Sequence, residues 1–197
     1  MTTPRTKRVA TLGPAGTNHG HAVARYFGFH RVDYEIVYVT DFIAAIDMLV
    51  AGAVDFVVQV CAHPTVAHTI EHDHRRAYVV DAFVCPTLPM GIMTRADVST
   101  PGSIGYMSAT AGYFDGARWP RHVHEVSNAE VALGLLEGRY DSGFSTLDLM
   151  SRAPGRFRLD LEIGEVDVAW LVYATTRVRQ GGLTAWAESP VVALLRD

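Results

Sequence analysis

The stretch Leu12-Gly13-Pro14-Ala15-Gly16-Thr17-Asn18 concentrates residue types suited to holding an anion. Its small residues let the backbone approach a ligand. A helix starting there aims its first N–H groups and the positive end of its dipole at negative charge. Thr17 or Asn18 caps that helix and adds a hydroxyl or amide. His19, on the first helical turn, is placed to bind a carboxylate or keto oxygen, or to move a proton, and His21 follows it. Ser108 and Thr110 lie in a second strand-to-helix turn, where another carboxylate can dock or the hydroxyls simply cap. His63 falls at the C-terminal end of a strand, where open α/β sheets present ligand contacts. His68-Thr69-Ile70-Glu71-His72 matches H-x-x-E-H, which on a helix gives a zinc hydrolase two histidines on one face and a glutamate base, with Glu137 or Glu162 as downstream acids. The alternative there is an exposed polar helix end, His72-Asp73-His74-Arg75-Arg76. His122 and His124 alternate with Val123 and read as the solvent face of a strand.

These residues need strands and helices in alternation to position them. Arg8 to Gly13 reads as a buried strand followed by a helix with Ala22, Val23, Tyr26 and Phe27 on one face. The order repeats with strand Glu35–Val39, helix Phe42–Ala51 ended by Gly52, strand Asp55–Cys61 and a helix opening at Pro64. Between Tyr78 and Thr94, Pro86 and Pro89 break an apolar run into two extended segments that cross between lobes. A second series follows: strand Ser103–Met107, short helix Thr110–Gly116, strand His122–Val126, helix Ala129–Glu137 ended by Gly138, and strand Ser142–Phe144. Two β-rich runs, Phe157–Ile163 and Val166–Thr175, return the chain to the first lobe, and the residues after Arg179 form a tail or a docking helix. The pattern predicts an α/β protein with a mostly parallel sheet. Lobe one takes residues 1–84 plus 164–197, and lobe two takes 85–163. No repeat stands out in the sequence.

The composition agrees: 197 residues, 49% hydrophobic and 19% charged, with 17 Gly and 2 Cys, exclude disorder, collagen and a disulfide scaffold. Cys61 and Cys85 read as packed thiols. A net charge of -4, with scattered arginines and Lys7 as the lone lysine, gives no basic stripe for nucleic acid. The longest apolar run, Phe42 to Val54, carries Asp47 and is too short to span a membrane. The N-terminus passes into a strand without an apolar signal core, so a cytoplasmic location is expected.

The segment TLGPAGTNHGHAVARYF resembles the opening of prephenate dehydratases, in which a strand runs into G-P-x-G-T and a helix. The resemblance continues through Thr40–Ile46, Gly52–Val58, Ser108, Asn128–Gly143 and the strand ending near Tyr173. It implies the fold of type 2 periplasmic binding proteins, two α/β lobes with a substrate cleft between them, here without the ACT domain of many dehydratases. The departures from the family carry the functional reading. The E-N-S segment after the third strand is here Gln59-Val60-Cys61-Ala62-His63-Pro64. The late T-R-F motif becomes Ala169-Trp170-Leu171, with Thr176-Arg177-Val178 placed too late to replace it. S-H-P becomes Ser108-Ala109-Thr110.

Without the Thr-Arg pair, hydroxide lacks the acid that would make it leave. Loss of carbon dioxide alone remains open to such a site. A small residue followed by Trp is similar to the prephenate decarboxylases of antibiotic pathways such as bacilysin, although the P-H pair of that branch is Gln59-Val60 here. The resemblance implies a non-aromatising decarboxylase of prephenate or a related cyclic dicarboxylate, with no cofactor and no metal. Gly16, Thr17, Asn18 and His63 would bind substrate from lobe one, and Ser108 and Thr110 from lobe two. His19, Ala169 and Trp170 would form the catalytic set, with Trp170 lining the cleft. The alternatives are an aromatising dehydratase that recruits His19 or His63 as its acid, and a non-catalytic binding module. The partner is a small dicarboxylate, neither nucleic acid nor membrane, and a homodimer is compatible with the sequence.

Overall fold

The computed structural model describes residues 5–178 and, beyond them, only 182, 183, 185, 186, 189 and 191. The expected tail or docking helix after Arg179 therefore lies largely outside the described residues. Ten strands and five α-helices are present among the described residues: β1 Lys7–Leu12, α1 Asn18–Phe29, β2 Tyr34–Val39, α2 Phe42–Val50, β3 Phe56–Val60, α3 Val66–His72, β4 Tyr78–Pro86, β5 Met90–Arg95, β6 Ser103–Tyr106, β7 Arg121–His124, α4 Asn128–Glu137, β8 Ser142–Thr146, α5 Asp148–Arg152, β9 Phe157–Gly164 and β10 Asp167–Ala174. They form two five-stranded sheets, ordered β2-β1-β3-β10-β4 and β7-β6-β8-β5-β9. The two orders are the same arrangement used twice, a duplication of topology without visible duplication of sequence.

The expectation of mostly parallel sheets holds for four of the five strands in each sheet, with one strand reversed. β1 runs parallel to β2 and β3, but β10 lies antiparallel between β3 and β4. In the second sheet β6 is parallel to β7 and β8, while β5 is antiparallel to β8 and β9. The reversal has a topological cause. β5 and β10 are the strands that follow each crossing between sheets, so each enters its sheet from the opposite end. The crossings run through 87–89 and 165–166. They bind each other there, Thr87 N–H donating to the Val166 carbonyl at 2.9 Å and Val166 N–H to Thr87 Oγ1 at 3.1 Å.

Alternation along the strands builds the core. Val9 and Val58 face α1, packing with Ala22, Val23, Phe27, Trp170 and Val172. Ala10 and Val57 face the other way, against Phe42, Ala45, Ile46 and Leu49 of α2. Lobe two repeats the scheme, with α4 residues Val131 and Leu135 on one face and Phe144, Tyr106 and Trp119 on the other. Side-chain caps start α2, where Asp41 accepts from Ala44 N–H at 2.9 Å, and α4, where Ser127 accepts from Glu130 N–H at 3.1 Å. Gly138, at φ +73°, closes α4.

Two local expectations shift. The helix expected from Pro64 begins at Val66, and the short helix at Thr110–Gly116 is a 3-10 turn over Ser108–Tyr113. The five-residue α5 had no signal in the sequence reading.

Candidate functional site

Gly13-Pro14 to Asn18 joins β1 to α1 as expected, with Gly16 at φ +82°, a conformation that favours glycine. Thr17 is the N-cap residue, yet its hydroxyl does not accept from the helix. It donates to the Pro14 carbonyl at 3.0 Å. The first N–H groups of α1 are thus free of side-chain caps, as an anion site requires. With its proton committed, however, the Thr17 hydroxyl offers a ligand only lone pairs. Thr110 repeats this on lobe two, donating to the Met107 carbonyl at 2.9 Å.

Asn18 joins the lobes. Its Oδ1 accepts from Leu88 N–H at 2.8 Å, and Nδ2 lies 3.7 Å from Met90 Sδ. This amide straps α1 to the crossing segment. Asn128, at the start of α4, approaches the same sulfur at 3.9 Å, and its Oδ1 is sealed from solvent without a partner.

His19 packs edge-on to Trp170, ring centroids 5.4 Å apart at 90°, and against Phe42 at 5.9 Å. Its Nδ1 is sealed and unpartnered. Burial, helped by neighbouring His63, pushes its pKa down to about 4, so the ring is neutral at pH 7. His63 also meets Phe42, at 5.0 Å, and burial lowers its pKa against an opposing pull from Asp41. Trp170 does not line the open cleft. It is 2% exposed, stacked on Phe83 beneath His19, with Nε1 unpartnered. The cause is register: Trp170 pairs with Val60 and Phe83, and its side chain falls on the α1 face of the sheet. Ala169 points the other way and is exposed, its carbonyl accepting from Cys61 N–H at 2.9 Å.

A cavity of 260 Å³ lies between the lobes. Lobe one lines it with Ala15, Gly16 and Thr17; lobe two does so with α4 and with Thr146, Asp148 and Arg152. Asp148 accepts from Thr146 Oγ1 at 2.6 Å and pairs with Arg152 Nε at 2.9 Å. Arg152 is the one cation among the described lining residues. The structure thus gathers Gly16 and Thr17 with α4 and α5, and gathers His19, His63 and Trp170 around Phe42. Ser108 and Thr110 do not line this cavity. Ser108 is exposed, its Oγ 3.2 Å from His124 Nδ1. His122 and His124 are exposed, as expected of the strand's solvent face, and His122 is also held by Tyr106 OH at 2.9 Å and by the Gly116 and Trp119 carbonyls.

The sequence reading missed Asn128, Thr146, Asp148 and Arg152 as cavity wall. Asn128 opens the helix that the sequence places from Ala129, but nothing in the pattern marked α5. His68 and His72 share a face, with ring centroids 6.0 Å apart, yet His72 binds Asp47 at 2.9 Å. Among the described residues no three His, Cys, Asp or Glu side chains are grouped to hold a metal. Both cysteines are free. No described helix is long and apolar enough to cross a membrane.

No family model and no curated protein matches the chain. Among solved structures it is similar to a prephenate dehydratase from Arthrobacter aurescens in complex with L-Phe, at 16% identity and TM-score 0.65 over 95% of this chain and 69% of that one. It is also similar to GqqA, described as a novel type of quorum quenching acylase, at 12% identity and TM-score 0.60 over 91% of this chain and 67% of that one. The periplasmic VFT2 domain of Bordetella pertussis BvgS gives 17% identity and TM-score 0.53 over 86% of this chain and 80% of that one. At such identities the likeness speaks for architecture: the chain has the two-lobed α/β fold of type 2 periplasmic binding proteins, with its cleft between the lobes.

Proposed function

We propose that the protein binds prephenate, or a closely related cyclic dicarboxylate, between its lobes and removes the ring carboxylate as carbon dioxide while the ring hydroxyl stays. The observation that carries this reading is the cavity between the lobes, with the uncapped start of α1 at Gly16 and Thr17 on one wall and Arg152 on the other, near His19, which packs against Trp170 and Phe42 and which burial keeps neutral. Expulsion of hydroxide needs a proton donor of useful acidity, and neutral imidazoles are poor ones. Decarboxylation needs none at that oxygen. The carbon–carbon bond to the carboxylate breaks, its electron pair forms a new double bond to the neighbouring ring carbon, and the displaced π pair takes a proton from water at the far carbon of the former double bond. Charge leaves the carboxylate as the bond breaks, so a water-poor site favours the step.

In this reading one carboxylate sits at the open N-terminus of α1, over Gly16 and Thr17, and another meets Arg152. No cofactor enters. The chain would serve a specialised pathway, such as antibiotic biosynthesis, rather than phenylalanine formation. Mass and proton NMR analysis of the product formed from prephenate by the purified protein tests the proposal. A non-aromatic keto acid that has lost carbon dioxide and kept its hydroxyl is expected. Phenylpyruvate above the spontaneous background would mean a dehydratase, and bound but unchanged prephenate a binding module.

A further inference from the structure

Gln59 stands in β3 among Val57, Val58 and Val60, and it is fully buried. A primary amide in such a place is costly unless both ends are hydrogen-bonded. Here Nε2 donates to Thr69 Oγ1 at 3.1 Å and Oε1 accepts from the Tyr173 hydroxyl at 2.9 Å. The donor inventory fixes this orientation. The Thr69 hydroxyl already donates to the Thr65 carbonyl at 3.0 Å, so it has only lone pairs for Gln59. Thr69 N–H reaches the same carbonyl at 2.8 Å. A chain of bonds therefore runs from Tyr173 in β10, through Gln59, to the first turn of α3.

That turn holds His63. Thr65 N–H donates to His63 Nδ1 at 3.3 Å, and the Thr65 hydroxyl lies 2.8 Å from the same nitrogen. A backbone N–H can only donate, so Nδ1 presents its lone pair and the neutral ring carries its proton on Nε2. Phe42 meets the ring edge-on at 82° and restricts its rotation. Among the described residues Nε2 has no partner, and it is not sealed from solvent.

We infer that His63 is an obligate Nε2–H donor to a carboxylate or carbonyl oxygen of the cleft ligand, and that Gln59 is the positioning residue that locks it there. The ligand half of this inference rests on the reading of the cleft given above; the tautomer lock does not. The test is nitrogen NMR of the His63 ring in the full chain near neutral pH. Wild-type protein should show a single tautomer, with Nδ1 unprotonated and Nε2 protonated. Thr69→Val, nearly isosteric, and Gln59→Leu, each checked for folding by circular dichroism, should raise the Nδ1–H fraction severalfold. Prephenate added to wild type should shift the Nε2–H resonance.

A wild-type ring protonated on Nδ1, or variants that fold and keep the wild-type tautomer, would overturn the lock. A locked ring whose Nε2–H ignores prephenate would overturn the donor role. In that case, a decarboxylated product in the same sample would show that the proposed reaction stands without His63.

Discussion

Asn18→Ala removes the one side-chain bond that α1 sends to the crossing segment. The bond is short, 2.8 Å from Leu88 N–H to Oδ1, and partly buried, so its loss leaves a peptide donor without a protein partner. Stranding such a group costs about 1–2 kcal/mol, and the weak amide–thioether contact to Met90 adds little. For a chain of this size about 1 kcal/mol lowers Tm by about 2–4 °C, so a fall of about 2–8 °C is expected. Thermal unfolding by circular dichroism measures it, and amide hydrogen exchange at Leu88 should accelerate in the variant. Asn18→Asp is the companion variant. It keeps the acceptor and places negative charge at the start of α1, where the helix dipole favours it by about 0.3–1 kcal/mol, so stability should return. The same charge should repel a carboxylate from the turn and weaken prephenate binding. Wild-type Tm and unchanged Leu88 exchange in Asn18→Ala would refute the strap. Undiminished prephenate affinity in Asn18→Asp would refute anion binding at α1.

Three further outcomes follow from the geometry. His19 has a folded pKa of about 4 against 6.5 unfolded, so its contribution to stability is complete above pH 6.5 and is lost as pH falls from there to 4. The full span is worth about 3 kcal/mol, and His19→Leu should flatten the pH dependence of unfolding over that window; an unchanged slope would contradict the burial argument. A Cβ at Gly105 would run into the buried Tyr140 ring, whose hydroxyl donates to the Val131 carbonyl at 2.8 Å. Gly105→Ala should therefore lose about 1–3 kcal/mol in denaturant unfolding, and a neutral result would show that the ring can yield. Arg152→Gln should weaken prephenate binding by about tenfold or more in calorimetry, as expected for loss of a charge-assisted contact, whereas Ser108→Ala should change it little. The reverse order would move the lobe-two contact to the 3-10 turn.

Much of the fold is legible in local patterns. The β1 to α1 turn, α2 ended by Gly52 and α4 ended by Gly138 are all marked in the sequence, whereas the Asp41 and Ser127 caps emerge only in the structure. Strand direction does not. Val166–Thr175 reads as apolar in either orientation, and its antiparallel place between β3 and β4 follows from the crossing, a long-range fact. The same limit governs the site. The residue types at Thr17, Asn18 and Thr110 suit ligand binding, but only coordinates show that Pro14, Leu88 and Met107 already hold them. Trp170 moves beneath His19 for a reason of register that the sequence does not reveal. Gln59 was visible only as a departure from a family pattern, because its partners Thr69 and Tyr173 lie 10 and 114 residues away.

The central claim is that the cleft removes carbon dioxide and leaves the hydroxyl in place. Prephenate carrying heavy carbon in its ring carboxylate and heavy oxygen in its ring hydroxyl tests this in one mass measurement. The account predicts labelled carbon dioxide together with a keto acid that retains the oxygen label. Labelled carbon dioxide accompanied by labelled water and unlabelled phenylpyruvate, in excess of the uncatalysed reaction, would contradict it.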